Sequence, residues 1–218
     1  MILFLFIGTG VFAQSRIQKA REYKDNYQFY KALEVYHSIF QNKTPKKDQD
    51  IRDIAHCYIM INDLESAQDW LSRINGLTVY NVNDIINYAN ALKSMGNYDE
   101  AISQFKRIAE LFPNRSEQAN KWIAACEVSK EWESNPLPYD IKNMAELNTE
   151  NSEFGLFAYD QGYMYSSDRM LADENYDSED IFGWTGTPYL KMYGLSYVDK
   201  DSSSDDESLL NEINTEHH

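Results

Sequence analysis

Cysteine is scarce: the 218 residues hold only Cys57 and Cys126. Both fall at core-facing places of helices in repeats two apart, too distant for the roughly 7 Å Cα separation a disulfide tolerates. Each reads as a small buried hydrophobe, and a disulfide scaffold is excluded. Basic excess is also missing, because 20 Lys+Arg face 35 Asp+Glu for a net charge of −15. Nonspecific binding to nucleic acid or anionic lipid is therefore disfavoured. Apolar runs of the roughly 20 residues that span a bilayer are absent too. Met1–Ala13 (MILFLFIGTGVFA) is shorter, ends in small residues and reads as a secretory signal peptide cut before Gln14. No HExxH, phosphate loop or CxxC occurs, His37 and His56 stand singly, and no nucleophile, base or metal set converges. Neither an enzyme nor a cofactor is called for.

What is present is a repeat. In Tyr88–Pro113 two amphipathic helices flank Gly96-Asn97, with Ala89 and Leu92 on one face of the first and Ala101, Phe105, Ile108 and Ala109 on one face of the second. The order and spacing of Gly96, Tyr98, Ala101, Phe105 and Pro113 resemble the tetratricopeptide repeat, a helical hairpin of about 34 residues. Sliding the register back places Ala67 with Ala55, Tyr58, Leu64, Leu71 and Ile74, then Ala32 with Ala20, Tyr23, Phe29, Tyr36 and Ile39. Ala119–Trp132, with Ala119, Trp122, Ile123 and Cys126 apolar, reads as a capping helix. Three repeats are what such a stack needs, since one hairpin cannot cover its own apolar face.

In this register the concave face is lined by first-helix side chains, including Arg21, Lys24, Arg52, His56, Asn90 and Lys93. Read from sequence, that row is mildly basic and would bind an extended acidic or carboxylate-bearing segment of a partner. Solvated helix faces carry such residues as well. Co-chaperones that clamp a C-terminal carboxylate resemble this arrangement, but Ile17 stands where their clamp uses a lysine, which weighs against that role.

Charge divides the chain. Residues 14–133 carry 16 Lys+Arg against 17 Asp+Glu, and residues 134–218 carry 4 against 18. Pro136 and Pro138 break the helical pattern, so the expected domains are a signal at 1–13, a helical repeat domain at 14–134 and an all-β segment at 135–218. Aromatic-rich runs Phe154–Asp160 and Tyr163–Ser167 read as a hairpin around Gln161-Gly162, and Tyr189–Tyr197 as a third strand. Acidic loops lie between and after them; neither fits the EF-hand spacing for calcium. Glu146, Asn148, Thr149 and Glu150 recur as Glu212, Asn214, Thr215 and Glu216, 66 residues on. A four-stranded unit that begins again implies radial repetition, as in a β-propeller cut off after its first blade.

Asn148–Arg169, with Ser167, Asp168 and Arg169 closing a hydrophobic strand, resembles the first blade of the TolB-type propeller in Bacteroidetes OmpA-family envelope proteins. The resemblance implies an exported scaffold at the periplasmic side of the outer membrane, of the type IX secretion and gliding kind. It further implies envelope protein partners that include a small outer-membrane barrel protein, with peptidoglycan bound through a domain that this sequence lacks. Asp168 and Arg169 are expected to be structural. Two other readings stand beside it: a small exported adaptor with a disordered acidic tail, and an accessory part of a peptidase or hydrolase carrying such a propeller.

Overall fold

A computed structural model describes residues 7–40, 45–74, 81–145, 147–159, 162–171, 175–196 and 210–212. It divides into two compact units, the first comprising residues 1–138 with 183–185 and the second 139–182 with 186–218.

The first unit is helical. Helices α1 (Ile7–Asp25), α2 (Phe29–Phe40), α3 (Asp48–Met60), α4 (Leu64–Ile74), α5 (Val82–Ser94) and α6 (Tyr98–Leu111) form three hairpins, and α7 (Ser116–Ser134) follows one 3-10 turn at Pro113–Arg115. The registered alanines Ala32, Ala67 and Ala101 are all fully buried. A small side chain at this place lets the two helices of each hairpin approach closely. Around them lie Phe29, Leu33 and Tyr36 in the first hairpin and Ile85, Leu92, Phe105 and Ile108 in the third. Trp122 of α7 covers the end of that core, its ring 5.2 Å from Phe105. Trp184, which belongs to this unit, stacks on Tyr27 at 6.1 Å.

All three hairpins close with the same hydrogen bonds. Gln28, Asp63 and Asn97 donate their N–H groups to the carbonyls of Tyr23, Tyr58 and Leu92 at 2.9, 3.0 and 2.9 Å. The residue before each donor is left-handed: Tyr27 at φ 61°, Asn62 at φ 63° and Gly96 at φ 80°. This is the helix-ending geometry glycine accommodates best. Only the third hairpin has glycine there, so Gly96 made that turn the easiest to read.

The second unit is a sheet of four antiparallel strands in chain order, β1 (Glu153–Tyr159), β2 (Gly162–Ser167), β3 (Lys191–Ser196) and β4 (Leu210–Glu212). The third strand thus begins two residues later than expected from the run at Tyr189. The register pairs Tyr165 with Tyr193, which puts both rings on one face, where they stack at 5.8 Å and pack with Leu147. On the other face the register aligns Phe154 with Ser166 and Met192, and Phe157 with Met164. There Phe154 is 51% and Phe157 65% exposed. Of the repeated motif, residue 146 of the first copy and residues 214–216 of the second lie outside the described residues, while Glu212 ends β4; the acidic loop at 199–207 and residues 1–6 of the expected signal lie outside them too. Among the described residues no helix is long and apolar enough to cross a membrane.

Candidate functional site: the first-helix row

Asp50 and Asp53 on α3 and Asp84 at the start of α5 are buried carboxylates, and they reorganise the row expected from sequence. Arg21 on α1 donates from Nε to Asp53 at 2.9 Å and from Nη2 to Asp50 at 2.6 Å. Lys24 reaches Asp53 at 2.5 Å, and Gln49 donates to the same carboxylate at 3.0 Å. One repeat further on, Arg52 donates from Nε and Nη2 to the two oxygens of Asp84 at 2.9 and 2.7 Å. Each first helix is thereby bridged to the next first helix. Three cations and three carboxylates balance, so the charge inferred from sequence for this part of the row is corrected. Arg21, Lys24 and Arg52 are not a basic strip but the cationic half of a neutral ladder.

Electrostatics follow the packing. Burial pushes Asp53 up, but the hydrogen bonds from Lys24, Arg21 and Gln49 outweigh it and hold Asp53 below its ordinary value. For Asp50 burial prevails over the attraction of Arg21, and its value is raised. The hydrogen bond to Asp53 raises Arg21, and that to Asp84 raises Arg52. Behind the ladder, burial raises the Tyr36 phenol and lifts the Cys57 thiol to about 12, which makes that thiol unreactive at neutral pH. Cys57 and Cys126 are both buried and free.

The remaining row residues differ. His56 is exposed, with its ring edge on Phe29 at 5.8 Å, and burial followed by the charge of Lys24 lowers its pKa. The shift favours the uncharged ring. Asn90 and Lys93 are half-buried on α5. The row is thus a balanced ladder running from α1 through α3 to the start of α5, with His56 on α3 beside it and an amide and a lysine further along α5. Sequence reading overlooked the aspartates, although Asp50 and Asp84 stand 34 residues apart, one full repeat, each preceding a buried isoleucine.

In the second unit Ser167, Asp168 and Arg169 are buried together. Arg169 donates to the Leu147 carbonyl at 2.8 Å and pairs with Glu153 at 3.2 Å, while its guanidinium lies 5.3 and 5.2 Å from the ring centres of Tyr165 and Tyr193. Ser167 donates to Glu153 at 2.9 Å. Asp168 accepts from the Ser152 N–H at 2.8 Å and from the Thr187 hydroxyl at 2.7 Å. Every group of the triplet is engaged in joining β1, β2 and the loops beside them.

No family model matches the chain, and no curated protein matches it. Similar solved structures include "MamA MSR-1 C2", 19% identical over 58% of this chain and 71% of that one with a TM-score of 0.49. Another, "Crystal structure of MamA protein", is 16% identical over 59% of this chain and 79% of that one with a TM-score of 0.43. The helical repeat therefore rests on the chain's own geometry. Three hairpins with one capping pattern and one register form a tetratricopeptide-type array.

Proposed function

We propose that the chain is a non-enzymatic scaffold whose first-helix row docks an extended segment of a partner protein. The observation that carries this reading is the ladder. Buried aspartates hold Arg21 and Arg52 in fixed orientation while both side chains stay about one quarter exposed, 25% and 26%. Binding to such preset donors needs little further ordering, which favours recognition of a peptide backbone and its carboxylates. Because the ladder is neutral, orientation of donors rather than net positive charge would select the segment.

We place the scaffold in the periplasm, associated with the outer membrane and serving an envelope complex of the type IX secretion or gliding kind. The support is the apolar run at residues 1–13 and the Ser167-Asp168-Arg169 resemblance. The sheet would be the first blade of a TolB-type propeller. Four strands in chain order and an uncovered face bearing Phe154 and Phe157 suit a blade that stacks on a neighbour.

A pull-down from the envelope fraction of the source organism tests the docking row. Lys93→Glu and Asn90→Glu should abolish recovery of a partner that wild type retains, with Glu110→Lys on the second helix of the same repeat unaffected. Equal recovery by all three variants would contradict the row assignment.

A further inference from the structure

The second unit carries a cleft of about 350 Å³ lined by Asn175, Tyr176, Glu179, Asp180, Pro188, Tyr189 and Lys191. Its walls are held by the local backbone. Tyr189 donates its N–H to the Asp180 carbonyl at 3.2 Å, and Ile181 bridges Pro188. The lip is a turn in which Asp177 donates its N–H to Asp180 Oδ2 at 2.9 Å and accepts from the N–H of Glu179 at 2.7 Å. The carboxylates of Glu179 and Asp180 are thus carried on an ordered turn beside two phenol rings.

We propose that this cleft receives an arginine or lysine side chain from an extended basic segment of a partner protein. One wall already shows the chemistry: the Lys191 ammonium sits over the Tyr176 ring, 5.8 Å from its centre. A cation over a tyrosine face gains from the ring quadrupole, and more so when partly shielded from water. Tyr189 is the second ring, tilted against Phe182 at 5.5 Å and 55% exposed. Glu179 and Asp180 outnumber Lys191, leaving the lining net negative. The surrounding sequence strengthens this, since residues 134–218 carry 4 Lys+Arg against 18 Asp+Glu. A long-range field of that sign steers basic segments toward the cleft and repels acidic ones. The occupant therefore differs in charge from the segment proposed for the first-helix row, and the two sites can be tested separately.

The test uses the full chain and a fluorescent ten-residue peptide of alternating arginine and serine, with a citrulline-serine peptide as its uncharged counterpart. Anisotropy should show binding of the arginine peptide and none of the citrulline peptide. Glu179→Gln and Tyr189→Ala should each weaken binding about tenfold. Asp140→Asn, which removes a charge of the same unit outside the cleft lining, should leave it unchanged, and far-ultraviolet circular dichroism of all variants should match wild type. No binding of the arginine peptide, or equal weakening by Asp140→Asn, would overturn the proposal. A chito-oligosaccharide that binds in place of the peptide, with the same sensitivity to Tyr189→Ala, would also overturn it in favour of a saccharide site.

Discussion

Arg21 meets Asp53, and Arg52 meets Asp84, across the same sequence interval of 32 residues. The interval is almost one repeat, so each arginine leaves its own first helix and ends on the next. Stacking repeats are held by nearest-neighbour contacts, and here part of that contact is ionic and buried.

Removing one member of a buried pair costs more than the pair contributes, because the partner charge is left uncompensated. Asp53→Asn should lower stability by roughly 2–3 kcal/mol at pH 7 in urea unfolding. The folded value of Asp53 lies below its ordinary 3.8, so its contribution is complete above that value and is lost as pH falls through the folded one. The difference between wild type and Asp53→Asn should therefore shrink below about pH 4. Asp50 has the opposite sign. Its raised value means that ionisation opposes folding above the folded value and that the opposition is relieved as pH falls through it. Asp50→Asn should consequently cost no more than about 1 kcal/mol at pH 7. A larger loss for Asp50→Asn than for Asp53→Asn would contradict this assignment.

The three hairpin turns share one backbone geometry with three different residues. Gly96→Ala forces a side chain into the left-handed region and should destabilise by about 1 kcal/mol. Asn62→Gly relieves that conformation and should change stability by less than about 0.5 kcal/mol in either direction. Thermal unfolding of the two variants checks both. Equal losses would mean that the turns are not equivalent in solution.

Arg169 uses its planar fork, donating from Nε to the Ser167 hydroxyl and from Nη2 to the Leu147 carbonyl and the Glu153 carboxylate, while its guanidinium lies over two tyrosine rings. Lysine keeps the charge and loses the fork. Arg169→Lys should destabilise the second unit by roughly 2 kcal/mol, seen as faster amide exchange in β1 and β2. Helices α1–α7 should keep their protection. Uniform acceleration through the helices would show that the triplet does not act locally.

The hairpin array was legible because each repeat places a small residue, aromatic residues and a turn at fixed offsets. Ala32, Ala67 and Ala101 occur on schedule, and all three are fully buried. Strands β1 to β3 were legible from their aromatic content, with ends shifted by up to two residues where the flanking sequence is equally aromatic. The ladder was missed because charged residues on a helix are ordinarily assigned to its solvated face. Burial of Asp50, Asp53 and Asp84 depends on the neighbouring helix, which a single repeat does not reveal. Residue type placed Arg21, Lys24 and Arg52 on the row. Their charge there is set by the residues across it.

Docking along the first-helix row is tested most directly by photocrosslinking in the source organism's envelope. A photoreactive phenylalanine analogue is placed at His56, at Asn90 or at Glu110, the last an exposed position on the second helix of its hairpin. The same discrete protein adduct from positions 56 and 90, with none from 110, is the expected result. An adduct from position 110 alone, or none from 56 and 90, would contradict the scaffold's proposed mode of binding.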